Sequence, residues 1–207
     1  MLASSVMEAA RPLTDAPNAP NDPAVEAAFQ AVPDDQVAEI LDGELFTMPR
    51  PRPAHANATS VLGEELGPPF RRGRGGPGGW VFLIEPELHL GSRPDKVVPD
   101  LAGWRRERLP EALLDANAEG AIAIAPDWVC EVLADRTERI DRGKKRRIYR
   151  REGVKHLWFL DPRDRTLEVY RLADGRWLEV DTCEGAAPVR AEPFDAIELT
   201  LGDLWRW

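Results

Sequence analysis

Residues 126–149 read PDWVCEVLADRTERIDRGKKRRIY, and this stretch decides the fold. Its first part, residues 128–133, is a short apolar run rich in Val, Leu and Trp, which is typical of a mostly buried strand. One carboxylate, Glu131, interrupts that run. An ionised Glu in an apolar strand costs several kcal/mol unless a partner compensates its charge. The pattern therefore predicts either a functional site at Glu131 or a salt bridge to an arginine of the helix that follows.

A second strand-like run, residues 97–101, reads VVPDL and carries Asp100 directly after a proline. Downstream of the first run comes a basic helix with Lys144 and Lys145. Two carboxylates on apolar strands and a lysine on the next helix are the parts of a hydrolytic metal site. Structural interpretations stay open as well, since Asp100 could simply end a strand and Lys145 could form a surface pair with Asp141, four residues earlier.

The order of these motifs resembles a known group of nucleases. Pro99-Asp100 followed by Glu131-Val132-Leu133 is similar to the signature of the PD-(D/E)xK nuclease superfamily. The tail RGKKRRIYRREGVKHLWFLDP, residues 142–162, narrows the resemblance to the bacterial Uma-type family of restriction-endonuclease-like proteins. In that family Lys-xxx-Tyr-xxx-Gly-Val precedes an aromatic strand that ends in Asp-Pro. The segment EILDGELFTMP, residues 39–49, followed by His55 fits the same family, so the resemblance covers roughly residue 36 to the C-terminus.

The chain departs from the pattern of these nucleases in two places. Leu133 stands where the superfamily lysine is expected, and Ala134 stands where the family usually has serine. The resemblance implies that Lys145, four residues before Tyr149, takes the place of the missing lysine. Lys144 stays open as a competing candidate for that role.

The resemblance implies a magnesium-dependent endodeoxyribonuclease, with Mn²⁺ as an alternative ion and DNA as the substrate. Asp100 and Glu131 would supply carboxylates to the metal, and Val132 its backbone carbonyl. Lys145 would stabilise charge in the transition state or orient the attacking water. The candidate accessory residues are Glu44, His55, Lys144 and Tyr149, and the expected nucleic-acid-binding residues are Arg142, Arg146 and Arg147. Two alternatives stay open: a non-catalytic nuclease-fold module that binds DNA or acts as a scaffold, and an enzyme for RNA or another phosphodiester.

The charge of the predicted basic helix, residues 136–151, is unusual for this chain. It holds nine of the 27 Lys and Arg residues and two acids, whereas the whole chain carries −9. Such a run is usually a solvated helix face. Screening limits the effect of distant charges to about 8–10 Å, so that an acidic protein can still bind phosphates on one basic face. A solvated face and a phosphate-binding face therefore both stay open.

The sequence divides into a predicted N-terminal arm, residues 1–33, and a single predicted domain, residues 34–207. Five prolines interrupt the arm, which buries too little apolar area to offset its ordering entropy, although a short helix over residues 24–31 is compatible with it. Removal of residues 1–30 is expected to leave the melting temperature nearly unchanged. No apolar run approaches the roughly 20 residues needed to span a membrane. The two cysteines lack metal-ligand spacing, so a reduced, cytoplasmic setting is the default.

Strands and helices alternate along the predicted domain. A hairpin over residues 39–48 that turns at Asp42-Gly43 comes first, and a helix over residues 55–66 follows. The predicted strands then lie at residues 80–84, 87–90, 97–104, 128–133, 156–160, 167–171, 176–180 and 196–201. This order predicts an α/β fold with a restriction-endonuclease-like core, in which helices flank a mixed central sheet, and with extra β-hairpins. The resemblance, the open strand edges and the apolar Trp205 and Trp207 predict a homodimer.

Overall fold

The structure of the chain is a computed structural model that describes residues 21–92, 94–115 and 121–206. The helices are α1 (Pro23–Gln30), α2 (Pro53–Leu66), α3 (Glu138–Ile140), α4 (Arg146–Arg151) and α5 (Leu201–Leu204). The strands are β1 (Gln36–Leu41), β2 (Glu44–Pro49), β3 (Trp80–Ile84), β4 (Leu88–Leu90), β5 (Asp95–Val97), β6 (Leu101–Arg105), β7 (Trp128–Val132), β8 (His156–Asp161), β9 (Thr166–Ala173), β10 (Arg176–Glu184), β11 (Pro188–Val189) and β12 (Leu199–Thr200). π-helical turns cover Gly67–Arg71 and Asp141–Lys145, and 3₁₀ turns cover Arg106–Arg108 and Glu111–Leu114. Within the described ranges, no helix has both the length and the apolar character that crossing a membrane requires.

The basic helix of the structure is the continuous helical segment 138–151, formed by α3, the second π turn and α4. It connects β7 to β8 in a central sheet of six strands, ordered β10-β9-β8-β7-β6-β3. Neighbouring strands of this sheet are antiparallel except β7 and β8, which run parallel. Parallel neighbours need a crossover connection, and the basic helix supplies it. The predicted mixed sheet flanked by helices is therefore confirmed.

Each face of the central sheet buries its own apolar cluster. On one face, α2 and the C-terminal segment pack against Trp128 and Val132 of β7. On the other face, the basic helix and a second sheet pack against Val129 and Leu133. Because successive side chains of a strand alternate between faces, Glu131 shares the face of Val129 and meets the basic helix.

The second sheet has four strands, ordered β2-β1-β5-β4. β1 and β2 form the predicted hairpin, in which Leu41 pairs with Glu44 across a two-residue turn. The turn residues Asp42 and Gly43 have positive φ angles of 53° and 78°. Two-residue hairpin turns of this kind favour Asp-Gly, because both central residues adopt the left-handed conformation.

The prediction of a single strand over residues 97–104 is wrong, because two strands of different sheets replace it. β5 ends at Val97 and pairs with β1 and β4, whereas β6 begins at Leu101 and pairs with β3 and β7. Pro99 lies between them and has no N–H to donate to a strand ladder, which accounts for the break. Asp100 therefore lies where the chain passes from one sheet to the other.

The other predicted elements agree with the structure apart from their ends. α2 begins at Pro53, two residues earlier than predicted, because proline is favourable at the first position of a helix. β10 extends to Glu184, since β9 pairs with it that far. The last predicted strand, residues 196–201, is reduced to β12, because α5 begins at Leu201.

α1 lies within the predicted N-terminal arm and contacts the domain. The side-chain amide of Asn21 donates to the carbonyl of Pro94 at 2.9 Å. The carboxylate of Glu26 lies 2.6 Å from Nζ of Lys96, which in turn lies 4.3 Å from the centre of the Phe29 ring. Residues 1–20 of the arm lie outside the described residues, and the division of the chain into an arm and a domain stays a prediction.

Candidate active site

A cavity of about 330 Å³ opens between the basic helix, the second sheet and the start of α2. Asp100, Glu131 and Lys145, the three residues predicted to be catalytic, line this cavity together with His55 and Asp141. These residues come from α2, the break after β5, β7 and the basic helix. Only the folded chain therefore brings them together.

Asp100 is held by two contacts that orient its carboxylate. Its Oδ2 accepts a hydrogen bond of 2.7 Å from the backbone N–H of Val132, and its Oδ1 lies 3.2 Å from Nε2 of His55. Burial alone would lower the pKa of His55, but the contact with Asp100 outweighs it and the pKa is raised above its ordinary value. The other ring nitrogen, Nδ1, is buried without a hydrogen-bond partner among the described residues. His55 and the amide of Val132 thus fix the orientation of the Asp100 carboxylate.

Glu131 is fully enclosed and has two partners on the basic helix. Its Oε2 accepts a hydrogen bond of 3.0 Å from Nζ of Lys145, and its Oε1 accepts a short one from the hydroxyl of Tyr149. Burial raises the pKa of Glu131 well above its ordinary value despite the attraction of Lys145, and neighbouring carboxylates raise it further. Burial likewise raises the pKa of Tyr149, so that its hydroxyl keeps the proton it donates.

Lys145 is only 3% exposed and forms ion pairs with the carboxylates of the cluster. In addition to its bond with Glu131, its Nζ donates to the carbonyl of Val98 at 3.0 Å. It also lies 3.2 Å from Glu39 and 3.5 Å from Asp141. Burial alone would lower the pKa of Lys145, but these carboxylates raise it well above its ordinary value. The lysine therefore keeps its positive charge inside the protein.

Glu39 and Asp141 belong to this cluster, although the sequence analysis did not place them in the site. Glu39 on β1 is fully buried, and one of its oxygens accepts a bond of 2.7 Å from the N–H of Val98. Its other oxygen, Oε2, has no partner among the described residues. Burial raises the pKa of Asp141 to about 6. The sequence contained a signal for each residue. Glu39 interrupts a strand-like run. Asp141 lies four residues before Lys145, and this spacing also fits an ion pair on the surface of a helix.

The base of the cavity carries more negative than positive charge. The carboxyl groups of Glu39, Asp100, Glu131 and Asp141 surround one lysine. Glu39 and Asp100 contribute to the raised pKa values of both Glu131 and Asp141. Within the described ranges, no group of three or more His, Cys, Asp and Glu side chains is arranged to hold a metal ion. A carboxylate has about four lone-pair sites, however. Asp100 and Glu131 can therefore each coordinate a metal ion in addition to their protein partners. Their oxygen donors and the surplus negative charge fit a hard divalent cation.

Arginines that no sequence motif indicated line the opening of the cavity. Arg50 and Arg163 are held in ion pairs with neighbouring acids. Arg52 and Arg136 also line the cavity, and neither has an ion-pair partner in the part of the chain that the structure describes. Guanidinium groups bind phosphate oxygens well, because their donors form a planar fork. A positive opening above a negative base suits a phosphate group that is bound through a cation.

Two of the accessory candidates lie away from this cavity. Nζ of Lys144 lies 3.0 Å from the carboxylate of Glu44, and neither side chain lines the cavity. Of the two neighbouring lysines, Lys145 is thus the one that contacts Glu131. Val132 contributes its amide to Asp100, and the metal contact of its carbonyl stays a prediction.

The predicted nucleic-acid-binding residues Arg142, Arg146 and Arg147 do not line the cavity either. They lie on a neighbouring face of the basic helix, where they line a second concave surface. One residue along a helix is a rotation of about 100°, so that side chains next to Lys145 in sequence face another direction.

Comparisons with known proteins agree with this fold. A model of the protein family Uma2, described as "Putative restriction endonuclease", matches residues 26–202 of the chain. A crystal structure from Anabaena variabilis ATCC 29413, described as "a putative nuclease belonging to DUF820", matches with a TM-score of 0.66 at 22% sequence identity. The match covers 87% of this chain and 96% of that chain, and at this identity it establishes the fold alone. No curated protein matches the chain.

Proposed function

Because this chain belongs to the Uma2 family, whose description is "Putative restriction endonuclease", we propose that it is a metal-dependent endonuclease that hydrolyses phosphodiester bonds of DNA. The observation that carries the proposal is the buried contact between Lys145 and Glu131 in a cavity that Asp100 also lines. One lysine and two carboxylates, Glu131 on β7 and Asp100 directly before β6, are the set of groups that the PD-(D/E)xK resemblance implies. The matched part of the chain includes all three residues.

Mg²⁺ is the ion that we propose for this site, with Mn²⁺ as the alternative. Both prefer oxygen ligands, and Mg²⁺ keeps several water molecules when it binds to proteins. Asp100 and Glu131 would hold the ion, together with the backbone carbonyl of Val132. A bound ion would polarise the phosphate and lower the pKa of a coordinated water.

The side chains of the cavity would bind the phosphate and balance its charge during hydrolysis. Lys145 would stabilise the negative charge that develops on the phosphate oxygens. His55 would keep Asp100 oriented, and Arg52 and Arg136 would bind the flanking phosphates. In the reaction a water oxygen bonds to phosphorus and the ester P–O bond breaks. The products are one strand end with a phosphate monoester and one with a hydroxyl.

Cleavage of supercoiled plasmid DNA tests this proposal. We expect the parent chain to cut the plasmid with Mg²⁺ or Mn²⁺ and to stop when EDTA removes the ion. Asp100→Asn and Glu131→Gln should each lose on the order of a hundredfold or more in rate, since each keeps its size and loses the charge that binds the ion. The matched control is Glu44→Gln, which makes the same chemical change at an acid outside the cavity.

Melting curves of all variants show whether lost cleavage reflects lost folding. Two results would contradict the proposal: cleavage that persists in EDTA, or cleavage by Asp100→Asn and Glu131→Gln at the rate of the parent. Replacement of the plasmid by single-stranded RNA in the same assay tests RNA as the substrate.

A non-catalytic module that binds DNA or acts as a scaffold is the second candidate function. One observation favours it, because both oxygens of Glu131 already accept hydrogen bonds, from Lys145 and Tyr149. Such a module would bind plasmid DNA equally well with and without divalent ions and would never cut it. The assay therefore separates the two functions.

A further inference from the structure

A second concave surface, the arginine groove, lies beside the basic helix. Its volume is about 360 Å³, and its lining includes Arg142, Arg146, Arg147, Arg150, Arg176 and Trp177. None of the described residues that line it is Asp or Glu, although the whole chain carries −9. The groove therefore concentrates positive charge on one side of an acidic protein.

Helical spacing explains why these arginines converge. Arg142, Arg146 and Arg150 repeat at every fourth residue, and such positions lie on one face of a helix. Asp141 and Lys145 have the same spacing and line the catalytic cavity. The two sets are offset by one residue, which is a rotation of about 100°. The cavity and the groove thus open on neighbouring faces of the same helix.

The hairpin of β9 and β10 completes the arginine groove. Its turn at Asp174 and Gly175 reverses the chain, and Arg176 and Trp177 begin β10 beside the helix. The indole N–H of Trp177 donates to the backbone carbonyl of Arg146 at 3.0 Å. This bond attaches the hairpin to the basic helix and fixes where Arg176 lies relative to the helical arginines.

The arginines of the groove differ in how far their charge is already compensated. Arg142 forms ion pairs with two carboxylates, at 2.8 and 2.5 Å. Its charge is therefore compensated, although the residue lines the groove. Arg147 lies 3.4 Å from one carboxylate, and Arg146 lies 4.5 Å from the centre of an aromatic ring. Arg150 and Arg176 have no ion-pair partner in the described part of the chain. Uncompensated guanidinium groups this close repel one another, and an anion bound between them would relieve that repulsion.

We propose that the arginine groove binds the phosphate backbone of the nucleic acid whose reacting phosphate lies in the cavity, as a second and separate contact. This inference rests on the function proposed for the cavity. Guanidinium forks match the oxygens of phosphate groups and bind them in pairs. An acidic peptide would also satisfy the charge of the groove. The neighbouring cavity favours a nucleic acid, because a strand whose phosphate lies in that cavity can continue past the helix to the groove.

The dimensions of the basic helix predict how long the nucleic acid must be. A helix with its side chains is about 10–12 Å across, and each nucleotide of a strand advances about 3.4 Å. About three or four nucleotides therefore separate the two contacts. A strand of about two nucleotides that occupies the cavity is too short to reach the groove, whereas a strand of about twenty reaches it.

Fluorescence anisotropy of labelled single strands of about two and about twenty nucleotides tests the groove. Ca²⁺ replaces Mg²⁺ in this assay, so that the cavity keeps a divalent cation without the octahedral geometry that Mg²⁺ requires. The groove variant combines Arg150→Gln with Arg176→Gln. We expect it to bind the long strand about tenfold more weakly than the parent and to lower the slope of log affinity against log salt by about 1.4, or about 0.7 for each lost phosphate contact. Its affinity for the short strand should equal that of the parent.

The matched control combines Arg165→Gln with Arg190→Gln, which removes the same charge from two exposed arginines that do not line the groove. The control should bind both strands as the parent does. Unchanged affinity and salt slope in the groove variant would overturn the inference and leave the plasmid test of the cavity unaffected. Equal losses for the short and the long strand would overturn it too, since one site would then explain both. A parent that binds neither strand would contradict both this inference and the proposed function.

Discussion

Lys145 is the residue on which the charge balance of the cavity depends. Its single ammonium group faces the buried carboxylates of Glu39, Glu131 and Asp141 at 3.0–3.5 Å. Loss of one partner of a buried ion pair typically costs about 3–5 kcal/mol, because the other charge is left uncompensated. Here the raised pKa values of Glu131 and Asp141 allow protons to replace part of the lost charge. The lysine therefore stabilises the fold in addition to its proposed part in cleavage.

Replacement of Lys145 by alanine should affect both cleavage and stability. Cleavage should fall on the order of 10²–10³-fold, which is typical of losing one group that stabilises transition-state charge. The melting temperature should also fall, because three buried carboxylates lose their common cation. Plasmid cleavage and melting curves at the same pH measure the two effects.

Lys144→Ala is the control for this substitution, since it removes the neighbouring lysine, whose Nζ contacts Glu44 outside the cavity. A partly exposed ion pair is worth about 0–1 kcal/mol, so stability and cleavage should stay close to those of the parent. Loss of cleavage in Lys144→Ala with full cleavage in Lys145→Ala would reverse the roles that we assign to the two lysines.

Asp141 should make the stability of the metal-free chain depend on pH. Burial raises its pKa from the ordinary value of 3.8 to about 6. Between these values the folded chain binds more protons at this residue than the unfolded chain, so stability falls as the pH rises from about 4 to about 6. Such a change in the pKa of Asp141 corresponds to about 3 kcal/mol of unfolding free energy. Urea unfolding in EDTA should show that the parent loses this unfolding free energy between about pH 4 and pH 6 and that Asp141→Asn does not. If the difference in unfolding free energy between the two chains stayed constant over this pH range, the raised pKa of Asp141 would be disproved.

The site could be predicted from the sequence only in part. Asp100, Glu131 and Lys145 were identified because the order of their motifs resembles a known family. Glu39 was missed because a single carboxylate in a strand also fits the polar side of a hairpin. Arg136 was missed as a cavity residue because the charge pattern included it in the basic helix, whereas it lies in the turn before that helix. The direction of each side chain depends on tertiary packing, which local patterns do not specify.

At the scale of elements, the break at Pro99 shows where local prediction ends. Pro99 is a local signal that residues 97–104 do not form one continuous strand, but it does not indicate that β5 and β6 belong to different sheets. That division arises because β5 pairs with β1, more than 50 residues earlier, whereas β6 pairs with β7. Hairpins between consecutive strands were predictable, since Asp42-Gly43 and Asp174-Gly175 determine their turns locally.

The basic helix should become more stable when Gly143 is replaced by alanine. Gly143 lies in the π turn of this helix, and a Cβ at this position would have no atom within 4 Å. Alanine restricts the unfolded chain more than glycine does, so that unfolding should cost about 0.4–1 kcal/mol more. Urea denaturation of the parent and the variant measures the change.

Gly103→Ala is the matched control, because it makes the same substitution in a crowded place. A Cβ on this residue of β6 would lie 3.0 Å from the ring of Phe82 and 3.1 Å from that of Trp128. Overpacking of this kind costs about 1–3 kcal/mol. If Gly143→Ala destabilised the chain as much as Gly103→Ala, the π turn would require glycine for a reason other than space.

Removal of α1 should destabilise the domain, which differs from the expectation based on the composition of the arm. The helix supplies Glu26 to the buried Lys96 and brings Asn21 to a backbone carbonyl. A chain that begins at residue 31 should therefore unfold about 1–3 kcal/mol more easily than one that begins at residue 21. Denaturation of the two truncated chains tests this comparison, and equal stabilities would show that the contacts of α1 contribute nothing.

At the scale of the whole molecule, the two edges of the central sheet differ in character. β3 forms one edge and β10 the other. β10 is nine residues long, and Leu178 and Val180 on it are 47% and 39% exposed. Among the described residues it pairs only with β9, and its register shifts between Glu179 and Asp181. A bulge and charged side chains are the usual protection of an exposed edge against uncontrolled pairing. An interface at β10 would therefore form through packed apolar side chains, not through one continuous ladder.

We predict that the chain forms a homodimer through the exposed apolar side chains of β10. Two copies of the site would also suit the cleavage of both strands of a duplex. Light scattering at micromolar concentration should give about twice the mass of 23.1 kDa for the parent and the single mass for a variant that combines Leu178→Lys with Val180→Lys. Ile84→Lys is the control, because it places a lysine on an exposed apolar residue of the opposite edge strand. A parent that stays monomeric would contradict the prediction of a dimer. If only Ile84→Lys dissociated the dimer, the interface would lie at β3, the edge next to the cavity, and not at β10.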